Sequence, residues 1–352
     1  MTVPTHATSR ETADAFIARL PKAELHVHLE GTLEPEMMLS LAARNGVHLP
    51  WSNVDELRRE YRFTGLEHFL RLLFRGAQVL RRREDFFDLT LAYLARAAAQ
   101  GVRRAEMFFG PQTFLNAGVP IADQVEGVLD AIRDAARSWN IDAALIVTAQ
   151  RHRTQREALE LFDLVRPWAD RVLGFGLGAA ERGNPPGKFA EYFAVCRSRG
   201  FRTTIHAGED APATYVWEAL DVCKPDRIDH GTAAATDQHL VARLRDAGIT
   251  LTMCPLSNVA LRVVPSIEQH PLARLLRAGV RVTVNSDDPP YFGGYIKENY
   301  AAVYDGLGLS MAELGTLARN SFLGSFDSPE NSSRAAANVD DYLRDAMSRA
   351  IY

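Results

Sequence analysis

A chain of 352 residues that is 47% hydrophobic can bury one large core, and its 40 basic and 44 acidic residues leave a net charge of −4. That balance excludes the basic surface that nucleic acid or an anionic membrane demands, so neither is an expected partner. The three cysteines, Cys196, Cys223 and Cys254, are scattered along the chain. They make neither a disulfide framework nor a thiolate metal cage, and they fit a reducing cytosol.

The N-terminal residues hold no apolar run suited to a signal peptide, and no later stretch is long enough to span a bilayer, so a cytoplasmic location is expected. Short apolar runs at 23–28, 104–109, 143–148, 172–177, 203–206, 227–230, 250–254 and 280–285 predict strands. Amphipathic stretches at 121–139, 155–168, 188–199, 237–247 and 270–278 predict helices between them. Strand-helix alternation makes a parallel α/β sheet, and eight such units predict a (β/α)8 TIM barrel filling residues 1–352 as one domain. The first unit carries a mostly helical insertion at about 34–100, with helices near 66–80 and 85–99, expected to act as a partial lid. Residues 310–352 read as C-terminal helices packed outside the barrel.

Histidines and acids stand at the ends of these strands. His26 and His28, two apart on the first strand, point the same way. His206-Ala207-Gly208-Glu209, Asp229-His230-Gly231 and Ser286-Asp287-Asp288-Pro289 close the fifth, sixth and eighth strands. Barrel enzymes collect their reactive groups at that face. Each motif has a blander reading: a buried His pair, a helix-start acid at Glu209, an N-cap at Asp287-Asp288. Together, three histidines with a carboxylate, a spare acid and a spare base make the parts of a catalytic zinc site. Adjacent strand carboxylates point to opposite sides, which assigns Asp287 to the metal and Asp288 to substrate. A five-ligand zinc is unusual, so His230 is the base that orients water, and Glu209 is the proton donor.

The remaining histidines (His6, His48, His68, His152, His239, His270) lack such settings and are expected at the surface or in structural roles. Gly174-Phe175-Gly176-Leu177-Gly178-Ala179 formally matches a dinucleotide fingerprint, but no helix plainly begins within it. Arg81-Arg82-Arg83 is a solvated helix start.

Five segments, in this order, carry a family resemblance: 20–35 around His26 and His28, His-Ala-Gly-Glu, Arg-Ile-Asp-His-Gly, Cys-Pro-Leu-Ser-Asn, and 284–295 around Asp287. Over about residues 20–322 the chain resembles the adenosine/adenine deaminase family of the amidohydrolase superfamily, nearest its microbial adenine deaminase branch. The resemblance implies one zinc per chain on His26, His28, His206 and Asp287. It implies that Glu209 protonates purine N1, Asp288 bonds N7, and His230 orients and deprotonates the attacking water. Binuclear relatives carry a lysine after strand four, and residues 174–178 contain none.

Glu30 stands where nucleoside-specific relatives carry an aspartate that meets the sugar, so its longer side chain favours a free base. Glu181 is expected to contact substrate. Two stretches depart from the branch: Gly110 and Gly178 replace aspartates, and Ala179 and Ala180 replace serines. Those changes predict a larger or less polar ligand. The expected activity is zinc-dependent deamination of a free 6-aminopurine, adenine or an N6-substituted adenine. Deamination of adenosine is the alternative, and a non-catalytic purine-binding protein a more distant one. The expected partner is the purine itself; oligomeric state is left open, with a homodimer the simplest assembly.

Overall fold

The computed structural model describes residues 10–349, so His6 lies outside the described residues. Eight parallel strands pair in chain order: β1 (Lys22–His28), β2 (Val102–Phe109), β3 (Asp142–Gln150), β4 (Val172–Gly178), β5 (Arg202–Ala207), β6 (Arg227–His230), β7 (Thr250–Met253) and β8 (Arg281–Val284). β1, β2 and β6 are buried along nearly their whole length, as parallel strands covered on both faces must be. The circle closes just beyond β8, where Val27 and Asp287 form a parallel bridge. There the Asp287 N–H donates to His26 O at 3.1 Å and the His28 N–H to Asp287 O at 2.9 Å. The architecture is the predicted (β/α)8 barrel.

Prolines account for most differences from the predicted helix limits. The stretch expected as a helix over 155–168 is an α-helix only over Gln155–Val165 and tightens to a 3₁₀ turn at Arg166–Trp168, because Pro167 lacks the N–H an α-helix needs. The predicted helix at 270–278 begins two residues late, at Leu272. His270 precedes Pro271 and is held extended, with ψ 131°. The predicted 188–199 helix starts as a 3₁₀ turn over Pro186–Phe189 and becomes α-helical at Ala190.

The insertion after β1 contains helices Pro35–Asn45, Val54–Arg59, Leu66–Ala77 and Arg83–Ala99. Helix Leu66–Ala77 turns Leu66, Phe69, Leu70, Leu73 and Phe74 toward the cavity at the C-terminal ends of the strands. Helix Met311–Leu323 packs on β1 and β8, and Pro329–Arg349 packs on that helix. Among the described residues no helix is long and apolar enough to cross a membrane.

The N-terminal end of the barrel is plugged by charge. Arg227, fully buried at the start of β6, donates to Glu106 Oε2 at 2.6 Å and to Leu25 O at 3.2 Å, with its guanidinium 4.1 Å from the Phe326 ring centroid. Glu106 also accepts from Arg104 Nε at 2.8 Å and from the Phe326 N–H at 2.7 Å. Removing one partner of such a pair strands a buried charge. Glu106→Ala is therefore expected to lose about 3–5 kcal/mol of unfolding free energy, measured by denaturant titration. A loss under about 1 kcal/mol, the level of a surface pair, would show that the plug does not hold the barrel end.

Candidate active site

β1 places His26 and His28 on one side, and β5 places His206 opposite them. Asp287 reaches the same point from the chain beyond β8, in the left-handed backbone region (φ 63°) that ordinary residues rarely adopt. His28 Nε2 lies 3.1 Å from His206 Nε2, and Asp287 Oδ1 lies 3.2 Å from His26 Nε2 and 3.3 Å from His28 Nε2. Four lone-pair atoms pointing at one another repel unless a cation sits among them. A tetrahedral ion with bonds of about 2.0–2.1 Å separates its ligands by roughly 3.3–3.4 Å, so the cradle fits a metal of that size.

The atoms behind the cradle fit as well. His26 Nδ1 meets Thr252 O at 3.2 Å and Thr252 Oγ1 at 3.0 Å, while its Nε2 is buried without a hydrogen-bond partner and faces the centre. His206 Nδ1 lies 3.4 Å from Asp229 Oδ2. Asp229 is itself held by Thr204 Oγ1 at 2.7 Å and Thr252 Oγ1 at 2.9 Å. Ser257 Oγ donates to Asp287 Oδ2 at 2.6 Å, leaving Oδ1 for the cradle. Such partners orient ligands and raise their basicity.

Glu209 and His230 flank the cradle, with His230 Nε2 3.5 Å from Glu209 Oε2 and 4.0 Å from Asp287 Oδ2. Burial, then the negative fields of Asp287 and Glu181, pushes the Glu209 carboxyl well above the usual range, toward its protonated form. Burial holds His230 well below its ordinary value, and so neutral. Burial opposes ionisation of Asp287, yet the imidazoles of His26, His230 and His28 keep its carboxyl well below the ordinary value. Asp288 is pushed well up by burial and by Asp287 beside it.

These groups line one pocket with Glu30, Gly110, Thr148 and Gly178. Its floor is polar, and the helix Leu66–Ala77 supplies an apolar wall. Glu30 is fully inside: Oε1 accepts the Gly110 N–H at 3.1 Å, Oε2 has no partner, and burial raises the carboxyl to about 7. A Cβ on Gly110 would come 2.8 Å from Glu30 Oε1. The space expected from the glycine at 110 is thus occupied by Glu30 itself. At Gly178 a Cβ would stand 3.3 Å from His206 Cε1 and 3.4 Å from Thr148 Cγ2, a tight fit, so the glycine lets the strand end lie close against the His206 ring and does not open the room expected there.

Glu181 has partners other than the substrate contact expected of it. Its carboxylate accepts three successive backbone N–H groups, from Gly208 at 2.7 Å, Glu209 at 3.0 Å and Asp210 at 2.7 Å. It thereby holds the turn that carries Glu209. Fully buried Arg151 reinforces this turn, donating to His206 O at 2.6 Å and lying 3.9 Å from Glu181. Sequence reasoning missed the supporting roles of Asp229, Ser257, Asn258 and His270. Asp229 sits opposite His206 in the β5–β6 register, a pairing no local motif announces. Ser257 and Asn258 lie in the Cys-Pro-Leu-Ser-Asn segment, where their presence in a family motif was the available signal.

A closed barrel that gathers three histidines, an aspartate, a buried acid and a further histidine at its C-terminal face defines a hydrolase built around a metal cradle. Residues 21–342 match the family model described as adenosine deaminase. The chain is 48% identical over 340 residues to an adenine deaminase of Sphingopyxis alaskensis, covering 97% of this chain and 100% of that one. The crystal structure of an adenine deaminase from Arthrobacter aurescens superposes with a TM-score of 0.90 at 42% identity, over 92% of this chain and 99% of that one. A Zn-bound amidohydrolase from Burkholderia ambifaria superposes with a TM-score of 0.89 at 30% identity, over 99% and 98%. The chain belongs to the adenosine deaminase family of the amidohydrolase superfamily and is a hydrolytic deaminase.

Asp229→Asn should keep the fold but weaken Zn²⁺ binding by about 10–100-fold, read by competition with a chromophoric chelator. Unchanged affinity would remove Asp229 from the support of His206.

Proposed function

We propose that this chain deaminates adenine, taking up water and releasing hypoxanthine and ammonia, with one Zn²⁺ held by His26, His28, His206 and Asp287. The observation that carries this reading is the buried carboxyl of Glu209, set beside His230 and the cradle in one pocket with an apolar wall. The adenine deaminases at close to half identity support the same substrate. When bound, the metal would supply the Lewis acidity that makes water a nucleophile at neutral pH.

The chain's own groups do the rest. Glu209 delivers its proton to ring nitrogen N1, which weakens the aromatic resistance of C6 to attack. His230 orients the attacking water. Asp288, itself proton-retaining, offers a hydrogen bond to N7. Glu30 fills the place a sugar would need, excluding a nucleoside. The wall of Leu66, Phe69, Leu70, Leu73 and Phe74 packs the purine away from water.

One observation favours a second reading. Gly178 and Ala179 line the cavity without a polar side chain, which suits an adenine that carries an apolar N6 substituent. Ammonia or amine release from adenine, adenosine and N6-isopentenyladenine, run in parallel, separates the cases. Adenine is expected to be turned over in strong preference to adenosine, and a preference for adenosine would overturn the role of Glu30. Faster release from the N6-substituted base would establish the second reading.

Glu209→Gln keeps the cradle intact while removing the acidic proton. It should retain bound metal and lose at least about 10²-fold in kcat. Near-native turnover would take Glu209 out of the reaction.

A further inference from the structure

We propose that the tautomer of His230 is set by a hydrogen-bond relay running from the Leu272 backbone N–H through His270 and Asn258, so that His230 accepts at Nδ1, carries its proton on Nε2 and meets the reacting water as a donor. This deepens the deaminase reading and rests on it for its catalytic meaning; the tautomer itself stands on hydrogen-bond polarity.

The relay begins at a group whose polarity cannot change. The Leu272 backbone N–H donates to His270 Nδ1 at 3.2 Å, so that nitrogen must present a lone pair. His270 is 3% exposed, and burial lowers its pKa to about 4, so the ring is neutral with a single proton, which falls on Nε2. Nε2 lies 3.0 Å from Asn258 Oδ1, and the Thr232 hydroxyl donates to the same oxygen at 3.0 Å. The Thr232 hydroxyl rotates to suit, but the Nε2–H of His270 needs an acceptor at that atom, which settles which way the amide faces. Its NH₂ end therefore points at His230, with Nδ2 3.4 Å from His230 Nδ1. His230 Nδ1 accepts, and the proton resides on Nε2, the nitrogen facing Glu209 and Asp287.

The opposite tautomer meets a conflict at each link. A proton on Nδ1 would face the Asn258 NH₂ group. Turning the amide would set that NH₂ against the Nε2–H of His270. Moving the His270 proton to Nδ1 would then set it against the Leu272 N–H, which cannot reverse. Each adjustment leaves two donors face to face in a buried place, where neither can find water as a partner. The extended backbone before Pro271 is what turns His270 inward to begin the chain.

With its proton on Nε2, His230 has no lone pair directed at the site. It orients the nucleophilic oxygen by donating a hydrogen bond, while Asn258 and His270 act as positioning residues.

The test is a long-range ¹H–¹⁵N correlation spectrum of the zinc-loaded protein with ¹⁵N-labelled histidine, the His230 signals being identified by their loss in His230→Gln. The expected spectrum has Nδ1 at the unprotonated shift and Nε2 at the protonated shift. A proton on Nδ1 in the native protein would overturn the proposal. Asn258→Asp replaces the NH₂ donor by an acceptor and should exchange the two shifts. Its kcat should drop by about 10²-fold or more, as holding a catalytic imidazole in the wrong tautomer does elsewhere, with little change in KM. Unchanged shifts in a folded Asn258→Asp protein would also count against the relay. If that variant does not fold, the native spectrum alone decides. The expected tautomer in a protein that leaves adenine untouched would refute the proposed substrate and leave the relay standing.

Discussion

The barrel closes on the same residues that form the cradle. The two backbone hydrogen bonds between Asp287 and β1 are the junction of the first strand with the end of the last. They insert Asp287 between His26 and His28 in sequence register and in space. The seam is stitched further by side chains: the Leu25 N–H donates to Asn285 Oδ1 at 2.9 Å, and the Ser286 N–H donates to Glu24 Oε1 at 3.1 Å. Tyr93 from the insertion holds the other oxygen of Glu24 at 2.7 Å. A strained residue persists only where its surroundings over-determine it, and Asp287 is over-determined on both sides. Barrel closure and metal geometry are therefore one constraint.

A second pattern follows from the barrel. Side chains at neighbouring strand ends lie close enough for each functional group to be held by the next strand or by a loop beside it. Thr252 of β7 holds His26 of β1 across the barrel, Asp229 of β6 holds His206 of β5, and Ser257 holds Asp287. Glu181, just past β4, holds the turn after β5 through three backbone N–H groups. The reacting groups thus need little rearrangement to act, which is the condition under which electrostatic stabilisation is most effective. Burial of several acids in one cavity also divides their roles. Asp287 is kept ionised by imidazoles, whereas burial, and after it the field of ionised Asp287, pushes the carboxyls of Glu209 and Asp288 up.

The departures at 110 and 178 separate physically. Gly110 and Glu30 depend on each other, since the carboxylate lies where a side chain at 110 would project and takes the N–H of that residue. A Cβ at Gly178 would instead crowd the His206 ring and the Thr148 methyl. Neither glycine opens the cavity: one position abuts Glu30 and the other His206.

The sequence by itself determined the strand order, the barrel, the helical insertion and the four candidate ligands, because period-two spacing and strand-end position are local properties of the chain. His26-x-His28 is legible from two positions, and Asp287-Asp288-Pro289 from three. Only the tertiary structure decided what stands behind those residues. Asp229 supports His206 through strand register, Glu181 is committed to the turn of Glu209, and Glu30 claims the space over Gly110. His270 has no motif of its own, and it joins His230 only because Pro271 turns it into the core beside Asn258. Such pairings depend on the shear and closure of the whole barrel, and a hydrogen bond between residues far apart in the chain leaves no spacing for the sequence to display.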